Sequence, residues 1–159
     1  MSHPKTPAIA SIRVKFVDSA IELSSRAIKP RPTVAVIAHD GKKADLVAFA
    51  TFNRDRLKSC RLVATATTGR LLVNKVGLIV ECLESGPRGG DAQIASRIVE
   101  GDVDAVLFIV DPFDKHPHDP DIQSLLRICN VHNVPLATNV ATADMLITSR
   151  LLWGAALAG

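Results

Sequence analysis

From Thr33 onward, short β-branched and aliphatic runs alternate with stretches whose apolar positions recur every three or four residues. The runs "TVAVIAH" (33–39), "CRLVAT" (60–65), "LIVEC" (78–82), "DAVLFIV" (104–110) and "PLAT" (135–138) read as strands. The stretches at about 42–57, 68–75, 91–100, 120–132 and 141–149 read as helices. Strand followed by helix, repeated along the chain, is the mark of βα units. It predicts an α/β fold: a single doubly wound domain with a five-stranded parallel sheet flanked by helices. In the first helix Leu46, Phe49, Ala50 and Leu57 share one face, with Lys and Arg opposite, so that face is expected to pack on the sheet.

Residues 1–31 are polar, mildly basic and bounded by prolines, and read as an N-terminal extension. Residues 32–150 form the expected domain, and "LLWGAALAG" (151–159) is a short apolar tail. No repeat, low-complexity tract or interior linker interrupts the pattern. Hydrophobic residues are 47% of the chain and aromatics only 4%, so the core is expected to be Val, Ile, Leu and Ala, as in buried parallel strands. The charge of +3, from 19 basic against 16 acidic residues, is too balanced for a nucleic-acid binder, and aromatic platforms for bases are scarce. Cys60, Cys82 and Cys129 lie far apart inside apolar runs without a CxxC pair, which argues against a disulfide framework or zinc ribbon and fits a reducing cytoplasm. No apolar run approaches the roughly 20 residues of a membrane span, and the first residues lack the apolar segment of a secretory signal. A soluble chain is expected.

In an open α/β sheet, ligands bind beyond the carboxyl ends of the strands, where helix N-termini present backbone N–H groups. Every strand exit in this chain is polar. The exits are His39, Asp40, Gly41, Lys42 and Lys43; "TATTGR" (65–70); "ESGPRGGD" (84–91); "DPFDKHPHDPD" (111–121); and "TNVATAD" (138–144). The opposite strand ends carry ordinary turns such as "EGDVD" and "HNVP".

Each exit has a plain structural reading beside a chemical one. Thr67 or Thr68 suits the cap of the second helix, yet the hydroxyls of "TATTG" at a helix N-terminus also suit an anion. Lys43 is an ordinary surface lysine when judged alone, and gains weight from its place at the same rim. His116 and His118, with Asp111, Asp114, Asp119 and Asp121 nearby, raise the possibility of a metal site. The prolines and "DPD" (119–121) fit instead a stiff loop before a helix with Asp119 as cap, in which Asp111 or Asp121 fixes the tautomer of a histidine. Asp91 fits a cap as well. Gly86, Gly89 and Gly90 around it, however, permit close backbone approach to a ligand, and a carboxylate there suits removal of a proton beside a carbonyl.

The segments "AHDGKK" (38–43), "ATATTGRL" (64–71), "SGPRGGDAQ" (85–93), "DPFDKHPHDPD" (111–121) and "PLATNVATAD" (135–144) resemble methylglyoxal synthase, in order and spacing, from Thr33 to Ser149. The resemblance implies elimination of phosphate from dihydroxyacetone phosphate to give methylglyoxal, without metal or organic cofactor, in a homohexamer. By position it makes Asp91 the catalytic base and His118 the histidine at the substrate oxygens. His39, Lys43, Thr65, Ala66, Thr67, Thr68, Ser85 and Gly86 match substrate-binding positions, with Asp40, Asp111 and Asp121 as supporting acids. Ala66 replaces a glycine usual in the family. The family's C-terminal segment rich in Tyr and Arg has no counterpart in "LLWGAALAG". The alternative is a regulatory module of the same fold that binds a phosphorylated metabolite without turnover; Asp91 and His118 favour the enzyme. A metal-dependent hydrolase using the two histidines is a third reading.

Overall fold

The computed structural model describes residues 31–113, 119–149 and 152. Five parallel strands, β1 (Thr33–Ala38), β2 (Arg61–Ala64), β3 (Val80–Cys82), β4 (Ala105–Ile109) and β5 (Leu136–Ala137), lie in the order β3-β2-β1-β4-β5. The helices are α1 (Lys43–Phe52), α2 (Arg54–Lys58), α3 (Ala66–Val76), α4 (Gly90–Val99), α5 (Asp119–Val131) and α6 (Val140–Thr148). The expected fold is therefore present, and each strand lies within its expected run.

Strand alternation divides the core in two. Val34, Val36 and Ala38 face α1, α2, α3 and α6 through Leu46, Leu57, Leu72 and Ile147. Ala35 and Ile37, with Val106 and Phe108, face α4 and α5 through Ile94, Ile98 and Leu125. Leu46, Phe49, Ala50 and Leu57 are all buried, as their helical spacing implies. Leu152 is buried with the first group. Burial pushes the Cys60 thiol up to about 12 and the Cys129 thiol to about 11, so both are inert core groups.

Three expectations change. The first helix is not continuous to residue 57: it breaks at Asn53, whose buried Nδ2 donates to the Phe49 carbonyl (3.3 Å) and to Asp144 Oδ1 in α6 (2.9 Å). A side chain that bonds the backbone and a distant carboxylate competes with helix continuation. Cys82 is exposed, because β3 is the edge of the sheet and, among the described residues, has no strand on its outer side. Helix α3 begins at Ala66 after an extended Thr65, so Thr67 and Thr68 lie inside the first turn instead of capping it.

The strand order reverses between β1 and β4, so the chain ends of these two strands open a crevice at the carboxyl rim. The backbone N–H of Asp111, after β4, donates to His39 Nδ1, after β1, at 2.9 Å. One hydrogen bond thus spans the switch point.

Candidate active site

His39 is buried, and its ring meets Phe108 edge to face with centroids 5.1 Å apart. Because Nδ1 accepts from a backbone N–H, the ring proton resides on Nε2 and the imidazole is neutral in this arrangement. The Asp111 contribution to His39 comes from its main chain. Its carboxylate is engaged elsewhere, accepting from the Phe113 N–H at 3.1 Å.

One turn further along, Lys43 Nζ pairs with Asp40 and donates to Thr67 Oγ1 at 3.0 Å. This bond carries the ammonium from the β1 exit to the β2 exit. Thr65 and Thr68 are buried, with their hydroxyls 3.3 Å apart, and Ala66 is buried between them in sequence. No N-cap side chain bonds the first turn of α3, so its amide dipoles and the Lys43 charge act on the same small region of the rim.

The third exit is joined to the second through one peptide group. The Ala66 N–H donates to the Glu84 carbonyl at 3.1 Å. Ser85 is extended and leads into a single 3-10 turn, Gly86–Arg88, after which Gly89 (φ 100°) takes the N-cap position of α4. Asp91 is thus the second helical residue and not the cap. It is 1% exposed, held where burial disfavours its charge and the helix start favours it. Gly90 is required by contact: a Cβ there would lie 2.1 Å from the Glu84 carbonyl oxygen. Ser85 and Gly86 are half-buried beside this turn. Arg88 faces outward, where its Nε lies 3.5 Å from Glu84 Oε2 in an exposed pair.

The structure brings together His39, Asp40, Lys43, Thr65, Ala66, Thr67, Thr68, Ser85, Gly86, Asp91 and Asp111 as linked segments of the rim. Asp121 is exposed as the third residue of α5. His116, His118 and Asp114 lie outside the described residues, so the proposed partnership of His118 with Asp111 or Asp121 lies outside them too. Among the described residues no group of three or more His, Cys, Asp or Glu side chains is placed to hold a metal. Among them, too, no helix is long and apolar enough to cross a membrane.

Sequence reasoning assigned no role to three features of this rim. A cleft of about 570 Å³ opens on its β4–β5 side, lined in part by Lys42, Asp45, Ile109, Pro112, Thr138 and Asn139. Asn139 caps α6, its Oδ1 accepting the Thr142 N–H at 2.9 Å. Gln93 reaches back from α4 to accept the Glu84 N–H at 2.9 Å. The Asn-x-x-Thr spacing was a legible cap signal; the Gln93 contact spans nine positions and follows no standard capping pattern.

The sequence model of the MGS-like domain matches residues 45–138. Methylglyoxal synthase of Cupriavidus pinatubonensis is 57% identical over 117 residues, covering 74% of this chain and 90% of that protein. That of Ralstonia nicotianae is 52% identical over 117 residues, covering 74% and 87%. The crystal structure of methylglyoxal synthase from Elizabethkingia anophelis superposes with a TM-score of 0.75 at 40% identity, covering 79% of this chain and 83% of that one. On the matched family model, the identity and coverage of these relatives and the shared fold, the chain belongs to the methylglyoxal synthase family.

Proposed function

We propose that this chain converts dihydroxyacetone phosphate to methylglyoxal and phosphate with Asp91 as the base. The observation that carries the assignment is a carboxylate 1% exposed at a helix start, beside a glycine turn tied directly to the threonine helix. A buried carboxylate in the first turn of a helix is equipped to remove a proton next to a carbonyl.

The substrate phosphate sits at the start of α3, held by Thr65, Thr67, Thr68 and the ammonium of Lys43, with Ala66, Ser85 and Gly86 lining the pocket. Asp40 keeps Lys43 in place. Asp91 takes a proton from the hydroxymethyl carbon, and the C–H electron pair enters the double bond of an enediolate. His39, through Nε2–H, and His118 donate to its oxygens, with Asp111 and Asp121 as their supports. The electron pair then shifts and breaks the bond between the carbon at the other end and the phosphate oxygen. The enol left behind becomes methylglyoxal when its methylene carbon takes up a proton.

Orientation decides the outcome. Elimination is favoured when the breaking C–O bond stands out of the enediolate plane, so a phosphate grip that holds it there favours loss of phosphate over isomerisation. The assembly is a homohexamer and the compartment the cytoplasm, readings supported by the family resemblance; light scattering on the purified protein tests the first.

The activity is tested by incubating purified protein with dihydroxyacetone phosphate and measuring methylglyoxal and inorganic phosphate. Equal amounts of both, at a rate unchanged by a chelator, are expected. Substrate binding without product would support the regulatory module instead, and activity lost on chelation would support a metal-dependent enzyme.

A further inference from the structure

The main chain at Glu84 is the joint of the site. Its carbonyl receives the first N–H of α3, at 3.1 Å, which fixes the threonine segment. Gly90 packs so closely on that same carbonyl that a Cβ would meet it at 2.1 Å, which fixes the start of the Asp91 helix. The next carbonyl, of Ser85, receives the N–H groups of Arg88 (3.0 Å) and Gly90 (2.9 Å) and closes the turn between them. The other main-chain group of Glu84, its N–H in the preceding peptide plane, is held by a side chain: Gln93 Oε1, at 2.9 Å.

We infer that Gln93 is a positioning residue for the reaction, acting as a hydrogen-bond acceptor that holds the peptide plane entering Glu84, limits rotation at that residue, and thereby fixes the distance between the threonine segment and Asp91. Gln93 follows Asp91 by two positions, and residues two apart on a helix point to different sides. Asp91 is accordingly buried while Gln93 is exposed, so Gln93 acts through the loop and not on the substrate. Without the clamp, the 84–90 loop keeps its own turn bonds but gains a rotation about residue 84. Ser85 and Gly86 would then drift relative to Asp91. Misplacement on the scale of about 1 Å costs up to about 100-fold in rate.

This inference rests on the active-site reading above, and its test separates the two. Gln93→Met keeps side-chain length and removes the acceptor; Gln93→Glu keeps an acceptor oxygen. Neither opens a cavity, since the position is exposed. The expected result is a loss of about 10- to 100-fold in kcat/KM for Gln93→Met, mostly in kcat, with near wild-type values for Gln93→Glu and unchanged thermal midpoints for both. Amide hydrogen exchange at Glu84 should accelerate in Gln93→Met and not in Gln93→Glu. Wild-type kcat/KM in Gln93→Met, or equal impairment of the two variants, would overturn the clamp. Should the wild type show no turnover, the active-site reading fails by itself, and Glu84 exchange unchanged in Gln93→Met would still overturn the clamp.

Discussion

Helices α3 and α6 start at the same rim of the sheet, each after an extended polar residue, and their first turns are used differently. At α6, Asn139 takes the Thr142 N–H with its side chain and closes the helix start. At α3, the Thr65 hydroxyl turns to Thr68 and leaves the cap unmade by a side chain. Helix α4 repeats the second case, with a glycine at its N-cap. A capped start gains stability from its own side chain, whereas an uncapped one keeps its amide dipoles directed at whatever anion enters. The uncapped starts of α3 and α4 are joined to each other through Glu84, and Asp91 lies on the second of them.

Substitutions at the two kinds of helix start should therefore separate activity from stability. Lys43→Met removes the cation that bonds Thr67 at the α3 start. A lost charged hydrogen bond, about 1.5–3 kcal/mol, corresponds to a fall in kcat/KM of about 10- to 100-fold, read mainly in KM, with little change in melting temperature. At the other start, Asn139→Ala should cost about 1 kcal/mol of stability, seen as a shift of roughly 2–4 °C in Tm, and leave kcat/KM unchanged. If Asn139→Ala lost activity at full stability, the distinction between the two starts would be wrong.

The smallest effect is expected away from the rim's chemistry, at Glu81 on the edge strand. The guanidinium of Arg97, hydrogen-bonded to Glu81 with Arg61 on its other side, holds this carboxyl down at about 2 from an ordinary 4.5. A depressed carboxyl stabilises the fold above its unfolded-state value, and that gain is lost as pH falls toward the folded-state value. Glu81 is 41% exposed, so solvent screening limits the gain to less than about 1 kcal/mol. Glu81→Gln should be slightly less stable than wild type at pH 7, with the gap closing between pH 4.5 and about 2 in thermal melts.

Much of this fold was legible because strand cores are written locally. Short β-branched and aliphatic runs placed all five strands, and helical spacing placed the buried face of α1. What local pattern does not carry is the identity of distant neighbours. Asn53 breaks the first helix because Asp144, 91 positions away, receives its side chain. Cys82 reads as part of an apolar strand and is exposed because topology puts β3 at the edge. At the site, residue types at strand ends were enough to gather the rim from His39 to Asp91. They could not show that Asp111 serves His39 through its main-chain N–H, or that Gln93 secures the loop, since each contact depends on a backbone group that any residue possesses.

Everything proposed for the rim turns on Asp91, buried at an uncapped helix start, being the base. Asp91→Asn keeps the shape of the side chain and removes the basic carboxylate, so the decisive experiment is turnover of dihydroxyacetone phosphate by this variant alongside calorimetric binding of inorganic phosphate. A fall in kcat of about 10²- to 10⁴-fold is expected, with phosphate binding retained. Wild-type turnover by the folded Asp91→Asn protein would contradict the assignment and return Asp91 to a structural role at the start of α4.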